Sequence, residues 1–231
     1  MNYLVIGLVF ILVIILYYAY YYLTNNTLTS GLQELKKPTT KQYQDLKNPT
    51  AITYSYQCWL YFTATGPVPN GTSVFSRGLG GTSDKNEFEV ILNGQELILN
   101  GGKGGADDLK TIMSITKNFP MQKWTYLVIN VSNLQTYEAY INGKLVKTVT
   151  VSTPNNFKPN SSMSSLVVGN TALSGYVTKF IRDTTVMDAK TVWTTYLSGN
   201  GLSNFFSTLM PYGLTMSIAN GEDVQRIFKF F

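Results

Sequence analysis

The sequence predicts an all-β protein, an antiparallel sandwich or jelly roll, preceded by one N-terminal transmembrane helix. Three observations support this prediction: an apolar stretch at the front of the chain, short segments with alternating apolar side chains, and Asn-Gly pairs between such segments. We expect three parts in the 231 residues, namely a transmembrane anchor over 1–24, a stalk or linker over 25–49, and one domain over 50–231 that ends in an additional hairpin.

The apolar stretch at the front runs from Tyr3 to Leu23 without a charged residue or a proline. As a helix it would rise about 30 Å, the thickness of the hydrocarbon core of a bilayer. A cleaved signal peptide is the alternative, but its apolar core is normally shorter and follows a start that carries Lys or Arg. We therefore expect an uncleaved anchor, with the lipid bilayer as its partner. The residues assigned to the membrane anchor are Tyr3, Leu4, Phe10, Ile15, Tyr17, Tyr18, Tyr20, Tyr21, Tyr22 and Leu23.

The flanks of the anchor predict its orientation. Tyrosines crowd its C-terminal end, and an aromatic ring with a polar tip settles at the level of the lipid headgroups. Lys36, Lys37 and Lys41 follow the anchor, whereas no Lys or Arg precedes it. The positive-inside tendency therefore favours a single-pass protein whose C-terminal body is cytosolic. In the stalk, Pro38 and Pro49 limit the length of any helix.

The body is predicted to consist of β-strands. Apolar residues alternate from Ile52 to Phe62 in AITYSYQCWLYF, and Trp59 and Tyr61 place aromatic rings on the opposite face, as expected for a strand covered on both sides. Further strands are predicted in KWTYLVINVS, SSLVVGN and GYVTKFIRDTTV. Strands do not alternate with helices, so we expect one antiparallel domain.

Turn and cap residues predict three hairpins and one helix. The Asn-Gly dipeptide tolerates the positive φ angles that a two-residue turn requires. Such pairs occur at Asn93-Gly94, Asn142-Gly143 and Asn220-Gly221. The helix is predicted in AKTVWTTYL, with Asp188 as its N-terminal cap and Gly199 as its stop signal. Its apolar side, which includes Val192, is expected to pack on a sheet.

The order of these motifs resembles a known family. The series of motifs is similar to that of laminin G-like members of the concanavalin A-like lectin/glucanase superfamily. The motifs are, in this order, YSYQCWLYF, SVFSRG, FPMQKWTYLVINVSNLQTYEAYINGKLV, SSLVVGN and LSGYVTKFIRDTTVMDAKTVWTTY. The resemblance covers about Thr50 to Gly199 and implies two curved antiparallel sheets in a jelly roll. Tyr126 departs from it, because the family often has His there. The structural motif residues marked by the resemblance are Trp59, Trp124, Tyr140, Asn142, Gly143 and Trp193.

The sequence offers little for catalysis. The chain has no histidine, which excludes Ser-His and Cys-His catalysis and the usual zinc sites. The superfamily includes glycosidases that use two carboxylates, and Glu87 and Glu89 form a closely spaced pair on a predicted strand. No third acid follows at the spacing that the resemblance requires, so we interpret this pair as solvated glutamates. We therefore predict a protein that is not an enzyme.

The sequence also gives little indication of a metal, a cofactor or a nucleic acid as a ligand. The acidic pairs at 107–108 and 222–223 could contact calcium, but two adjacent acids are weak evidence for a site, because calcium takes six or more oxygen atoms. We therefore expect no metal and no cofactor. The net charge of +5 is mild and no cluster of Lys and Arg marks a nucleic-acid surface. Cys58, the single cysteine, lies in an apolar strand pattern and is expected to be buried. The sequons at Asn25, Asn70, Asn130 and Asn160 are near the number expected by chance.

Two functions fit these features. An N-terminal membrane helix before such a domain resembles virion proteins of large DNA viruses, and it implies a minor capsid component that links an internal membrane to the shell through other capsid or membrane-associated proteins. The alternative is a membrane-displayed adhesion module that binds carbohydrate by stacking sugar rings on aromatic residues such as Trp59, Tyr61 or Tyr137.

Overall fold

The computed structural model describes residues 10–18, 27–29, 31–63, 71–79, 86–101, 110–151, 164–200, 215–220 and 223–229. Residues 10–18 form helix α1. The strands that follow in the described residues are β1 (Thr27–Thr29), β2 (Gln33–Glu34), β3 (Thr39–Lys41), β4 (Tyr54–Phe62), β5 (Thr72–Leu79), β6 (Asn86–Asn93), β7 (Glu96–Gly101), β8 (Lys110–Thr116), β9 (Thr125–Ser132), β10 (Thr136–Ile141), β11 (Lys144–Thr150), β12 (Ser164–Val168) and β13 (Gly175–Asp183). Helix α2 (Ala189–Leu197) and strands β14 (Thr215–Asn220) and β15 (Asp223–Lys229) come last, and a short 3-10 helix (Tyr43–Asp45) precedes β4.

The strands form two large antiparallel sheets. The first is seven-stranded in the order β1-β13-β4-β9-β10-β11, with β2 also paired to β13. The second is six-stranded in the order β3-β12-β5-β6-β7-β8, and β14 pairs with β15 as a separate hairpin. This is an all-β antiparallel sandwich with the arrangement of a jelly roll, as the sequence predicts.

The core lies between the two large sheets. Alternate residues of β4 from Tyr54 to Phe62 are buried in it, which confirms the alternation seen in the sequence and places the Cys58 side chain, 1% exposed, in the interior. The rings of Phe75 and Phe180, from opposite sheets, have centroids 4.9 Å apart. Ile52, the first residue of the predicted alternation, is 46% exposed and precedes the strand.

The segment expected to be a stalk belongs instead to the sandwich. Thr27 and Thr29 pair with β13, and Thr39 to Lys41 pair with β12. Leu35 is fully buried in the core, and its backbone N–H donates to the carbonyl of Gly175 at 2.9 Å. Short Thr-rich stretches can pair along the edge of a sheet through their backbone groups and need no apolar alternation of their own. The sequence therefore carried no periodic signal for these strands.

The Asn-Gly pairs form hairpins, but their turns differ. Asn142 and Gly143 have φ angles of 50° and 80°, so both central turn positions are left-handed, as predicted. At the first pair, Asn93 is the cross-strand partner of Glu96, so the two turn residues are Gly94 and Gln95 instead of Asn93 and Gly94. Gly94 has a φ of 62°. At the third, Asn220 pairs with Asp223, and the loop itself lies outside the described residues.

Helix α2 begins and ends where the sequence predicts. The carboxylate of Asp188 accepts a hydrogen bond from the backbone N–H of Thr191 at 3.0 Å, which caps the N-terminus. Gly199 follows the last turn with φ 73°. Val192 is fully buried, whereas Trp193 is 41% exposed.

Part of the proposed anchor is described by the structure. Phe10, Ile15, Tyr17 and Tyr18 lie on α1 and are 57% or more exposed. The other anchor residues, Tyr3, Leu4, Tyr20, Tyr21, Tyr22 and Leu23, lie outside the described residues. Within the described ranges, no helix is both long enough and apolar enough to cross a bilayer.

Candidate functional site

The outer face of the seven-stranded sheet is unusually aromatic. On β4, Trp59 and Tyr61 point away from the core because they alternate with Cys58, Leu60 and Phe62. This face carries two groups of aromatic side chains. Helix α2 covers the first group, and the second lies beyond it at the end of the strands.

The covered group consists of residues from three strands and the helix. Trp59 pairs across the strands with Tyr126, and their ring centroids are 5.2 Å apart. Tyr196 of α2 stacks on Trp59 at 5.8 Å with an angle of 21° between the ring planes. Trp59 is 6% exposed and Tyr126 is 1% exposed, so neither ring is free to receive a ligand. Tyr137, the third aromatic residue considered for stacking on sugars, is 1% exposed and faces the opposite side, in the inter-sheet core.

Tyr126, where the family often has His, is fixed by its neighbours. Its hydroxyl donates to Oε1 of Gln57 at 2.7 Å, and burial raises the pKa of its phenol well above the ordinary value. Its backbone N–H donates to the side-chain oxygen of Asn142 at 2.9 Å, and the N–H of Asn142 donates back to the Tyr126 carbonyl at 2.8 Å. The Tyr-Ile-Asn-Gly motif thereby locks its hairpin to β9.

The other motif residues support the same region. Trp193 lies against Gly143, since a Cβ atom at this glycine would be 2.6 Å from the indole Cε3. The hydroxyl of Tyr140, which is 5% exposed, donates to Glu138 at 3.1 Å, and burial followed by the charge of Glu138 raises its pKa. Asn130 is 2% exposed and clamps the segment before α2, because its side chain both accepts from and donates to the backbone of Met187. The folded domain therefore hides this sequon; the sequons at 25, 70 and 160 lie outside the described residues.

The second group forms a row across three adjacent strands, which we call the aromatic row: Tyr176, Tyr61 and Trp124. Tyr61 lies directly opposite Tyr176 on β13, and Trp124 lies immediately before β9 beside Tyr61. Ring centroids are 6.3 Å apart for Tyr61 and Tyr176 and 5.5 Å apart for Tyr61 and Trp124, with interplanar angles of 49° and 48°. All three side chains are half-buried, so each ring keeps an accessible part.

Charged groups extend one end of the aromatic row. Glu34 on β2 is the cross-strand partner of Tyr176 and therefore points to the same face. Its carboxylate forms an ion pair with Lys37 Nζ at 3.1 Å, and the Glu34 and Lys37 side chains are 47% and 76% exposed, respectively. The row thus presents apolar ring faces beside exposed donors and acceptors of hydrogen bonds.

The loops that flank the row, at the ends of its strands, are tied together. The backbone N–H of Gln122 donates to the Phe62 carbonyl at 2.8 Å, and its side-chain amide donates to the Thr63 carbonyl at 3.2 Å. The hydroxyls of Thr63 and Ser174 are 2.6 Å apart. These contacts join the chain ends beside Tyr61, Trp124 and the start of β13, so the row rests on a fixed backbone.

Of the candidate carboxylates, the structure describes the side chain of Glu89. Glu89 is 8% exposed and lies in register between Ser76 and Asn100 of the neighbouring strands, so the expectation of a solvated side chain is wrong for this residue. The Glu87 side chain and the acidic pair at 107–108 lie outside the described residues. Among the side chains that the structure describes, no group of three His, Cys, Asp or Glu could hold a metal ion.

Comparison with known proteins settles the family. Residues 38–200, more than half of the chain, match a laminin G-type model described as the concanavalin A-like lectin/glucanases superfamily. The chain belongs to this superfamily. The match begins inside the segment expected to be a stalk, in agreement with the strands found there. A search of curated proteins finds no match.

Solved structures of similar fold include binding domains of bacterial toxins and a domain of an arabinanase. The receptor binding domain of botulinum neurotoxin type G is 18% identical with a TM-score of 0.48, over 64% of this chain and 38% of that domain. Domain 4 of AbnA, an extracellular arabinanase from Geobacillus stearothermophilus in complex with arabinotriose, is 16% identical with a TM-score of 0.48, over 63% and 66% of the two chains. A mutant of HCR/D has a TM-score of 0.53 at 11% identity, over 76% of this chain and 44% of that one, and this likeness supports the fold alone.

Proposed function

We propose that the protein is a non-catalytic carbohydrate-binding domain, held at a membrane by its N-terminal apolar segment. The aromatic row carries this proposal. Tyr176, Tyr61 and Trp124 form a continuous, half-buried aromatic surface with accessible ring parts on one sheet, whereas the neighbouring aromatic residues are covered by α2.

The chemistry of the row suits a sugar. A pyranose ring has an apolar face of C–H groups and a rim of hydroxyl groups, so it packs on an aromatic ring while its hydroxyls bond to polar side chains. Tyr and Trp supply such amphipathic surfaces at low entropic cost. Glu34 and Lys37 offer an acceptor and a donor at the end of the row. The row crosses two strand spacings, about 10 Å, which fits a short oligosaccharide better than a single ring.

Exposed apolar residues support the membrane part of the proposal. Every residue of α1 is exposed, including the large apolar side chains from Phe10 to Leu16. An exposed apolar surface of this kind usually meets lipid or another protein. The orientation that the following lysines favour places the body in the cytosol, so a glycan-binding role on a cell or virion exterior requires the opposite orientation.

A glycan array tests the proposal. The full-length protein in detergent micelles is applied to an array that includes arabinotriose, beside the variants Trp124→Ala and Tyr61→Ala. We expect binding to at least one oligosaccharide class, weakened about thirtyfold by Trp124→Ala, since an aromatic side chain that anchors a ligand is worth about 2 kcal/mol. Trp193→Ala is the matched control, because it removes an exposed tryptophan of α2, which packs on the same sheet outside the row. Absence of binding, or equal losses in the Trp124 and Trp193 variants, would refute the assignment.

A second function, the structural virion component, is favoured by strand β11. Among the strands that the structure describes, β11 lies at the edge of the seven-stranded sheet, and Leu145 and Val146 are 53% and 42% exposed on its two faces. An edge strand with free backbone groups can pair with a strand of a neighbouring protein. Protease treatment of intact membranes or particles tests this role: a body beneath a shell should resist cleavage, and ready cleavage would exclude it.

A further inference from the structure

Two arginine side chains point into the inter-sheet core at one end of the sandwich. Arg77 on β5 pairs across the strands with Phe88, and Arg182 on β13 pairs with Tyr56. Phe88 and Tyr56 are core residues whose ring centroids are 5.0 Å apart, so the two arginines enter the same part of the interior from opposite sheets. They are 2% and 3% exposed, respectively.

The two guanidinium groups converge on one short segment. Arg182 donates from Nη1 to the carbonyl of Lys47 at 2.7 Å and from Nη2 to that of Asn48 at 3.2 Å. Arg77 donates from Nη2 to the carbonyl of Pro49. Three consecutive residues span only about 7 Å between their outer Cα atoms, so the cationic groups are close neighbours. Lys47 and Asn48 are themselves exposed, which leaves a single layer of chain between the arginines and solvent.

These cations lack a negative partner among the described residues. The ion pair found there joins Glu34 and Lys37, not an arginine. A guanidinium cannot lose its proton in a protein, and a buried charge without an opposite charge is costly. The ring of Tyr54, 5.5 Å from Cζ of Arg182, supplies only a partial compensation.

Several donors in this region also lack an acceptor. Nε and Nη1 of Arg77, Nε of Arg182 and the hydroxyl of Tyr56 are buried with no hydrogen-bond partner in the described structure. Buried polar groups are normally satisfied, and a set of unsatisfied donors around two cations is the arrangement that accommodates an anion.

We propose that Arg77, Arg182 and the Tyr56 hydroxyl form an internal binding site for a tetrahedral oxyanion of the phosphate or sulfate type, closed by residues 47–49. This site lies on the core side of the seven-stranded sheet, opposite the aromatic row, and does not depend on the carbohydrate proposal. The anion neutralises the two guanidinium groups and joins the two sheets and the segment 47–49 at one point.

Thermal unfolding of the full-length protein in detergent micelles tests the site. Phosphate at 10 mM should raise the unfolding temperature of the wild-type protein by about 4 °C in a saturable manner, relative to chloride at equal ionic strength. Phosphate also stabilises folded proteins in general, so the diagnostic quantity is the difference from Arg77→Met and Arg182→Met, in which the saturable rise should disappear. Lys147→Met, which removes an exposed cation of β11, should keep it. A rise of equal size in all four proteins would overturn the proposal.

A second measurement needs only the wild-type protein, in case the variants do not fold. With 15N-labelled arginine, the Nε–H resonances of Arg77 and Arg182 should shift and saturate during a phosphate titration, while a chloride titration leaves them in place. Acetate serves as a planar carboxylate: a saturable shift with acetate but not with phosphate or sulfate would overturn the assignment to a tetrahedral anion. No saturable shift with any of these salts would show that water satisfies the donors, and would also overturn it.

Discussion

Replacing Gly143 with alanine should destabilise the domain by about 2 to 4 kcal/mol, although this residue lies in a hairpin turn outside the core. Two separate features of the structure contribute. The backbone at Gly143 has a φ of 80°, which L side chains rarely adopt. A Cβ atom there would also lie 2.6 Å from Cε3 and 3.2 Å from Cζ3 of Trp193.

The magnitude follows from these two contributions. A left-handed conformation costs a residue with a Cβ atom about 1–2 kcal/mol. Insertion of a methyl group into a packed contact costs about 1–3 kcal/mol, because the indole must move away from the turn. The nearest atom belongs to a ring that is itself 41% exposed, so the indole has room to shift and the lower half of that range applies.

A double-mutant cycle separates the two contributions. Urea unfolding, followed by far-UV circular dichroism, is measured for the wild-type protein, Gly143→Ala, Trp193→Ala and the double variant. In the Trp193→Ala background only the backbone penalty remains, so Gly143→Ala should cost about 1–2 kcal/mol there, with a coupling energy of about 1–2 kcal/mol. An equal cost in both backgrounds would refute the proposed contact between the turn and α2.

Three further outcomes are expected. Val192→Ala should cost about 2 kcal/mol of unfolding free energy because it empties a fully buried position on α2, whereas the exposed Lys190→Ala should change it by less than about 0.5 kcal/mol, as urea titration would show. Hydrogen bonds from Thr191 lower the pKa of Asp188, so the ionised carboxylate stabilises the fold above the ordinary carboxyl pKa of about 4, and this stabilisation is lost as the pH falls through the lowered pKa. The unfolding temperature of Asp188→Asn should therefore depend less on pH between 5 and 3 than that of the wild type. Equal pH dependence of the two proteins would contradict this. Burial raises the pKa of the Cys58 thiol, so iodoacetamide should modify it in urea and not in the native protein, and rapid native labelling read by mass spectrometry would count against a buried thiol.

The fold could be predicted from the sequence where local chemistry decides the structure. Alternation from Tyr54 to Phe62 identified the inner face of β4, and the Asn142-Gly143 turn and the Asp188 cap set the bounds of their elements. These features depend on neighbours in sequence, so a single sequence reveals them.

Other parts depend on contacts between distant residues. Strands β1 to β3 exist because β12 and β13 offer partners for their backbone groups, and their polar side chains gave no periodic signal. The aromatic row joins residues 61, 124 and 176, and only the register of three strands brings them together. Of these, Tyr61 was a candidate and Trp124 a motif residue, but Tyr176 had no distinguishing signal. The arginine pair was missed for the same reason, because Arg77 and Arg182 come from different sheets.

If the N-terminal segment is anchored in a membrane, as we propose, the pairing of Thr27–Thr29 with β13 limits how far the domain can stand from that membrane. Only residues 19–26 separate α1 from this strand, and a segment of that length reaches about 28 Å when fully extended. If α1 is embedded in lipid, the edge of the seven-stranded sheet is therefore kept close to the headgroups. The domain then has a restricted range of heights and tilts, and it would meet ligands carried by its own membrane more readily than ligands on a distant surface.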